Sequence, residues 1–446
     1  MKILKLILLL IILSILIISC GTENEQADEI YPYLFFTIGG SGYDEANTVT
    51  ETTDGGFVVT GFTTSKDGDF TGLIHGIEDI AVVKLDQYGH TQWKKTFGGS
   101  QWNIGTSVAA TIDGGVILTG ITGSADGLFS DLEGEGQNIF ALKLDESGNV
   151  EWVKTFFASG PEVAKSVIQM RDGSYALTGS TRSMDGDFEY KQNNSWDIFV
   201  ISLNSSGETD WIKTYGGLSA EQSYAIAETD SGDLVITGFS SSNDDIFFGL
   251  NRGLQDIFLM NINKSGELNW VQTYGGSNGD IANALALTSD GGILLTGRTW
   301  SDDGQFSEGN GGDIFVIKTD QSGQPQWIRT YGGSYSEEAM SIITSSDGSI
   351  YVAGWTESND GDFEGLSIGE EDIFILKLDL AGNIVYVKTV GGTGSEQAKS
   401  IIESSNDLIT LTGWTDSGDG DFYLESGSSP YIFLFFLDSE GNFVNR

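Results

Sequence analysis

One phrase recurs seven times along this chain of 446 residues, about 59 residues apart, from Gly39 to the end. Each copy has a glycine pair or a close relative, then an acid, a hydrophobic run, a tight turn and, in most copies, Thr-Gly. The glycine pairs begin at Gly39, Gly98, Gly216, Gly275, Gly332 and Gly391, and Phe157 stands at this position in the third copy. A period of this length is typical of one supersecondary unit copied end to end, so it constrains the fold more than any single motif.

The first copy reads as four β-strands. Residues 46–53 and 57–62 flank Asp54-Gly55-Gly56, and Asp-Gly between two strand-like runs is a strong hairpin signal. Residues 80–85 and 91–97 form the third and fourth strands, after a long polar connection. Seven open four-stranded sheets would leave edges and apolar faces exposed. Sheets packed face to face in a ring bury those faces, so the sequence predicts an all-β, seven-bladed β-propeller over residues 33–446, with an open β-solenoid as the alternative.

The two ends of the chain predict how the ring closes. The last copy stops at Arg446, halfway through its fourth strand. Residues 34–40 match residues 93–99, which are the fourth strand of the first copy. We therefore predict that the N-terminal segment pairs into the last blade. Both ends have fourth-strand character, so either one could occupy the outer position.

The N-terminus has the features of a bacterial lipoprotein signal. Lys2 and Lys5 precede an apolar run that is short for a membrane span. The run ends at Cys20, the only cysteine, in a context that resembles the bacterial lipobox. We expect residues 1–19 to be a lipoprotein signal peptide, Cys20 to be lipidated, and residues 20–32 to be an acidic tether. The expected location is the outer membrane of the bacterial cell envelope, with exposure at the cell surface as a further expectation.

The charge of the chain restricts its partners. The formal net charge is −42 at pH 7, whereas nucleic-acid binding needs basic surfaces that neutralise phosphates. We therefore expect no nucleic-acid partner and no membrane contact beyond the lipid anchor. Hydrophobic residues make up 39% of the chain, which is enough for a large core. We expect a monomer whose partner is an envelope protein or an extracellular polysaccharide.

The repeat resembles a known bacterial family. Its pattern runs from Gly-Gly-x(4)-Asp/Glu-x-Ala through Asp-Gly-Gly-aromatic-Val-x-Thr-Gly to Asp-Ile-Phe-x-x-Lys-Leu-Asp-x-x-Gly-x-x-x-Trp. This pattern looks like the bacterial β-propeller repeat often called SBBP, and the resemblance covers Gly39 to Arg446. The resemblance implies a propeller in a secreted or surface protein, and it implies no defined chemistry.

An acidic phrase recurs in the connection between the second and third strands. In propellers this connection shares one face with the connection from the fourth strand to the next blade, and we call it the loop-rich face. The complete phrases contain the pairs Asp67 and Asp69, Asp185 and Asp187, Asp360 and Asp362, and Asp419 and Asp421. Two carboxylates around a glycine could bind Ca²⁺, the one cofactor that the sequence suggests. The alternative is an Asx-type turn with its Phe tucked inward.

Two further acidic series and the tryptophans recur with the blades. One acidic series begins each copy (Asp44, Glu162, Glu221, Asp280, Glu337, Glu396, with Asn103 in the second), and the other precedes the third strand (Asp79, Asp197, Asp256, Asp313, Asp372). We expect both to fix loops, because a catalytic centre needs asymmetry. Five tryptophans on the fourth strands, starting with Trp93, should pack between blades. Trp300, Trp355 and Trp414 instead come after the Thr-Gly position of the second strand, and they are the candidate ligand-binding residues for stacking on a glycan or peptide.

Catalytic signals are weak. His75 and His90 are the only histidines, and no zinc-ligand spacing occurs. The favoured hypothesis is a lipid-anchored binding or scaffold module that recognises a protein or a polysaccharide at the loop-rich face, around the fifth to seventh blades. A carboxylate-based glycan hydrolase or lyase is the second hypothesis. A purely structural or adhesive surface protein is the third.

Overall fold

The computed structural model describes residues 36–131, 136–189, 191, 193–307, 309, 311–367, 369–422 and 430–444. The predicted signal peptide, Cys20 and the tether lie outside these residues, so those expectations stay predictions. No helix in the described ranges is both long and apolar enough to cross a membrane.

The chain forms seven four-stranded antiparallel sheets, which confirms the predicted seven-bladed β-propeller. The innermost strands are β2 (Asp44–Glu51), β6 (Asn103–Ala110), β10 (Glu162–Gln169), β14 (Glu221–Glu228), β18 (Asp280–Leu287), β22 (Glu337–Thr344) and β26 (Glu396–Glu403). The second strands are β3 (Phe57–Thr63), β7 (Val116–Thr122), β11 (Tyr175–Thr181), β15 (Leu234–Ser240), β19 (Ile293–Thr299), β23 (Ile350–Thr356) and β27 (Ile409–Thr415).

The outer half of each blade contains the third and fourth strands. The third strands are β4 (Asp79–Leu85), β8 (Asn138–Leu144), β12 (Asp197–Leu203), β16 (Asp256–Ile262), β20 (Asp313–Thr319), β24 (Asp372–Leu378) and β28 (Tyr431–Leu437). The fourth strands of the first six blades are β5 (Thr91–Phe97), β9 (Val150–Phe156), β13 (Thr209–Tyr215), β17 (Leu268–Tyr274), β21 (Pro325–Tyr331) and β25 (Ile384–Val390). Short 3-10 turns η1 to η6 follow the second strands at Gly68–Phe70, Gly127–Phe129, Gly186–Phe188, Asp245–Phe247, Gly304–Phe306 and Gly361–Phe363.

The glycine of the recurring Thr-Gly is required for steric reasons. A Cβ placed on Gly61 of β3 would lie 1.9 Å from the carbonyl oxygen of Glu45 on β2. The register between β2 and β3 shifts by one residue just beyond this point, and the bulge brings the two backbones close together. Only glycine fits at such a close approach.

Neighbouring blades contact one another around the whole ring, including β2 of the first blade with β26 of the last. Third strands such as β4 are buried along their full length, because a blade covers each face. The tryptophans of the fourth strands pack between blades as predicted. Trp93, for example, lies against Gly148 in the turn of the next blade, and its indole nitrogen donates to Glu146 O at 3.2 Å.

Both ends of the chain complete the seventh blade. The N-terminal strand β1 (Phe36–Ile38) pairs antiparallel with β28, with Phe36 opposite Leu434, so the predicted pairing is confirmed. Farther along β28, Phe443 forms an antiparallel β-bridge with Leu437. The backbone amide of Val444 also donates a hydrogen bond to Phe436 O at 2.9 Å. The outer edge of this blade is therefore shared: β1 covers one part of β28 and the C-terminal residues cover the other.

Candidate functional site: the loop-rich face

The acidic phrases hold the loop-rich face together. In all seven copies the first acid accepts a hydrogen bond from the backbone amide of the residue after the glycine pair, at 2.7–2.9 Å. In the four complete phrases the second acid accepts a hydrogen bond from the backbone amide of the first residue at the glycine-pair position, as Asp69 does from Gly39 N at 3.0 Å. The phenylalanine that follows is buried in every copy. Each phrase thus ties the connection after the second strand to the connection that enters the blade.

Asp67, the first acid of the first copy, is exposed, and its hydrogen bonds affect its ionisation. The hydrogen bonds from Ser41, led by its backbone amide, lower the pKa of Asp67. The contacts match the turn interpretation of the phrase. Within the described ranges, no group of three or more His, Cys, Asp or Glu side chains is placed to hold a metal ion. Calcium binding at Asp67, Asp69 and their counterparts stays a prediction, and calorimetry with millimolar Ca²⁺ would test it.

The acids that begin the innermost strands hold the adjacent loops in place through buried hydrogen bonds. Asp44 is fully buried, and it accepts hydrogen bonds from Thr63 Oγ1, from Ser65 Oγ at 2.7 Å and from Gly40 N at 2.8 Å. Equivalent contacts to Thr or Ser recur at the other positions of the series. This is the loop-fixing role that the sequence predicts.

The two buried series meet at the interfaces between blades, which the sequence analysis missed. A Cβ placed on Gly391 would lie 1.8 Å from Asp372 Oδ1 and 2.8 Å from Glu396 Oε2, so these carboxylates of neighbouring blades flank the same glycine. The other acid–acid pairs are Asp197 with Glu221, Asp256 with Asp280, and Asp313 with Glu337, and Asp79 meets the amide of Asn103 in the same way. The signal was present in the sequence, because the partners of every pair are separated by the same number of residues.

Burial makes these pairs sensitive to pH. It raises the pKa of Asp256 to about 6 and the pKa values of Glu337 and Glu396 to about 7, and the charge of the facing acid adds to each shift. Asp256 Oδ1 accepts no hydrogen bond within the described part of the chain. A proton shared across such a pair would satisfy both carboxyl groups.

The histidines do not form a nucleophilic site in the described residues. The Nδ1 atom of His75 lies 3.3 Å from Asp79 Oδ2 on the loop-rich face, and that of His90 lies 3.3 Å from Asp86 Oδ2 in a hairpin turn. Neither imidazole is hydrogen-bonded to a Ser or Thr hydroxyl there. That contact is the one a Ser-His-Asp triad uses to activate its nucleophile.

Trp300 is the candidate ligand-binding residue that lines an open cleft. The residue is 39% exposed, and the cleft of about 710 Å³ lies between the fourth and fifth blades. The other lining residues are Ser241, Leu254, Gln255, Asn278 and Gly279. The Arg298 guanidinium lies 4.1 Å from the centre of the Trp300 ring and also donates a hydrogen bond to Glu338 Oε2 at 2.9 Å. These two contacts hold the Trp300 side chain in place.

The other two candidate tryptophans lie elsewhere. Trp355 and Trp414 are half-buried at the ends of β23 and β27, where they pair in register with Glu338 and Gln397. Neither lines the cleft around Trp300. The sequence correctly placed all three near the loop-rich ends of their blades, but only Trp300 lines this cleft.

Two exposed apolar residues on the loop-rich face of the fourth blade break the repeat. Leu218 is 76% exposed, and every other copy has Ser or Thr at its position. Phe248 is 79% exposed where five of the other copies have Thr, Ser or Glu, and Leu254 is 70% exposed on the rim of the cleft. We call Leu218, Phe248, Leu254 and Trp300 the apolar patch. Comparing the copies position by position would have revealed it from the sequence.

The backbone of the apolar patch is anchored. Leu218 N donates to Asp244 Oδ1 at 2.9 Å, Leu254 N donates to Asn278 O at 3.3 Å, and Trp300 N donates to Gly279 O at 3.0 Å. Leu218 also lines a second cleft of about 480 Å³ on the same face. The patch is therefore presented on fixed loops with a cleft on either side of the fourth blade.

Comparisons with known proteins agree with the fold. No family model matches the chain. The chain is 23% identical over 443 residues to the uncharacterized WD repeat-containing protein L264 of Acanthamoeba polyphaga mimivirus, covering 78% of this chain and 32% of that protein. It is 23% identical over 240 residues to the regulatory protein FlaEY of Caulobacter vibrioides, covering 49% of this chain and 24% of that protein. The chain thus spans about a third or less of the curated relatives it matches.

A solved structure of puromycin hydrolase is also similar. It superposes with a TM-score of 0.51 at 12% identity, covering 90% of this chain and 53% of the other. The fold is a β-propeller. At this identity the likeness concerns the fold alone, and what the chain binds has to be argued from its own surface.

Proposed function

We propose that this chain is a lipid-anchored binding module of the bacterial cell envelope, and that its loop-rich face engages a partner protein. The apolar patch carries the proposal. Features common to all seven blades serve the blade, as the acidic phrases do, whereas Leu218 and Phe248 depart from the repeat and expose apolar surface. Apolar residues exposed at positions where most other copies are polar, beside two clefts on one face, suit an interaction site.

The rest of the face supports a protein partner. Of the fifteen large apolar residues that are exposed in the described ranges, nine lie on the loop-rich face. They are Tyr43, Ile77, Phe157, Met184, Leu218, Phe248, Leu254, Trp300 and Tyr335. Asp244 and Asp245 line the cleft beside Leu218, and the whole chain carries a formal net charge of −42. The complementary partner presents apolar side chains flanked by basic residues.

Capture of envelope proteins tests the patch directly. The variant L218S/F248S/L254S gives the patch residues of the kind that other copies carry, and it should lose the partner that the unaltered chain retains. The control variant I112S/L380S removes apolar residues that are 77% and 52% exposed on hairpin turns of the opposite face, and it should retain that partner. Equal capture by the two variants, with unchanged circular dichroism, would refute a patch-mediated contact.

A polysaccharide is the second candidate ligand. The exposed indole of Trp300 stands beside the amides of Gln255 and Asn278, and aromatic rings with planar polar groups suit sugar rings. Glycan-array binding that is lost in Trp300→Ala but kept in L218S/F248S would favour this ligand over a protein. Glycan cleavage by the purified chain would favour the hydrolase or lyase hypothesis.

Lipidation is testable separately. We expect labelled palmitate to be incorporated into the unaltered chain and the protein to sediment with outer membranes. Cys20→Ser removes the only thiol, so this variant should take up no label and should leave the membrane fraction. Membrane retention of the unlabelled variant would argue against the lipid anchor.

A further inference from the structure

A ring of seven equivalent residues lines the axial channel. In every innermost strand the register with the second strand shifts at the same place, which leaves one bulged residue per blade. The bulged residues are Asn47, Thr106, Lys165, Tyr224, Asn283, Met340 and Lys399, and all are partly exposed. A bulge re-aims its side chain, and bulges are common beside functional sites.

Most members of this ring that carry polar groups contact a neighbouring blade. The Asn47 amide donates to Gly105 O at 2.9 Å, and Thr106 Oγ1 donates to Ala164 O at 2.9 Å. Asn283 donates to Ala339 O at 3.0 Å in the same manner. These contacts brace the inner wall, so they account for three of the seven positions without a ligand.

The two lysines of the ring differ in their partners. Lys399 Nζ donates to Gln397 Oε1 at 2.7 Å and lies 3.7 Å from Glu45 Oε1. Lys165 lies over the Tyr224 ring, with Nζ 5.5 Å from its centre. No hydrogen bond or ion pair to Lys165 occurs among the described residues. In a chain with 64 acids and 22 Lys and Arg, a half-buried ammonium with no carboxylate beside it is unusual.

Glu338 and Glu45, two acids that contact residues of the ring, already have charged partners. Glu338 pairs with Arg298 at 2.9 Å and also accepts from the Asn283 amide at 2.9 Å, while Glu45 faces Lys399. Burial and the charge of Lys399 lower the pKa of Lys165. Lys165 and Lys399 occupy equivalent bulged positions of the ring, and an anion bound between them would give Lys165 the charged partner that it lacks among the described residues.

We propose that the axial channel binds a carboxylate group between the ammonium groups of Lys165 and Lys399, with the Tyr224 ring as one wall of the site. The ligand is a molecule that carries a single accessible carboxylate, either a uronic acid or an acidic side chain of a protein loop. Charge-assisted hydrogen bonds from the two lysines supply the recognition. The site is distinct from the apolar patch, so either can fail without the other.

Calorimetry at low ionic strength tests the site with two carboxylates and their neutral counterparts. The probes are D-glucuronate against D-glucose, and N-acetylglutamate amide against N-acetylglutamine amide. Both carboxylates should bind at millimolar concentration and the neutral compounds should not, and the tighter of the two identifies the source. Glucose binding as tightly as glucuronate, or the absence of heat from both carboxylates, would overturn the proposal.

Variants of the lysines complete the test. Lys165→Gln should weaken carboxylate binding by at least about tenfold, because it removes one of two charge-assisted donors. Lys213→Gln is the matched control, since Lys213 also lies over an aromatic ring, that of Trp211, but on the outermost strand β13. The Lys213→Gln variant should bind the carboxylates normally.

Lys165→Arg, which keeps the charge, should retain binding even if the glutamine variant folds poorly. In the unaltered chain, NMR should show the pKa of Lys165 rising when glucuronate is added. Equal affinity of the Lys165→Gln and Lys213→Gln variants would exclude the site.

Discussion

At the scale of single residues, the buried acids link the stability of the fold to pH. Recurrence in nearly every copy correctly predicted that they fix loops, because a residue repeated from blade to blade serves the blade. Their pairing across interfaces could not be derived from one copy, since each pair joins the third strand of one blade to the first strand of the next. The pairing depends on ring geometry, in which both strand ends reach the same face.

We predict that the chain is more stable near pH 5 than at pH 8. The folded-state pKa values of Glu337 and Glu396 are raised to about 7, so the folded chain binds these protons more tightly than the unfolded chain. Their stabilising contribution is complete below the unfolded pKa of about 4.3, and it is lost as the pH rises through about 7. Urea unfolding across this range measures the trend, and a free energy of unfolding that increases steadily from pH 5 to pH 8 would contradict it.

Glu396→Gln tests the same interpretation at one interface. The glutamine can keep the hydrogen bond from Thr415 Oγ1 on its carbonyl oxygen, and its amide nitrogen, in the position of Oε2, can donate to Asp372 but no longer accepts from Gly392 N. Because the glutamine does not titrate, the free energy of unfolding of the variant relative to the unaltered chain should rise by on the order of 2 kcal/mol between pH 5 and pH 8. Asn103→Asp makes the opposite change beside Asp79, so it should destabilise the chain at pH 8 more than at pH 5.

At the scale of elements, the sequence predicted the strands well because the hairpin glycines, the alternating runs and the fixed period all agree. The closing strand was predicted from the match of residues 34–40 to residues 93–99. That match could not decide between the two termini, because each supplies only part of a strand. The structure resolves this by using both: Ile38 is 4% exposed against the seventh blade, and Phe443 bridges Leu437 farther along β28.

We predict that β1 is required to close the ring. A variant that begins at residue 39 lacks β1, whereas a variant that begins at residue 36 keeps it and serves as the control. Loss of buried Ile38, of Phe36 against Gly89 and of the strand pairing should lower the free energy of unfolding by roughly 4–6 kcal/mol. It should also expose the edge of β28 and promote association. Identical melting temperatures for the two variants would show that β1 is dispensable.

At the scale of the whole molecule, the repeat determines the ring, and the departures from the repeat suggest the function. The tryptophan series drew attention to Trp300, but the sequence analysis did not single out Leu218, Phe248 or Lys165. Exposure separates these residues from the core: a leucine or phenylalanine reads as a core residue until the structure shows that its loop lies on the surface. A bulged lysine likewise reads as a surface residue until the ring puts it in the channel.

Site-specific photo-cross-linking in intact cells tests the proposed function most directly. A photoreactive phenylalanine analogue replaces Leu254 on the loop-rich face or Ile112 on the opposite face, which are 70% and 77% exposed. We predict a discrete cross-linked envelope protein from position 254 and none from position 112. The same cross-link from position 112, or none from position 254, would contradict a partner at the apolar patch.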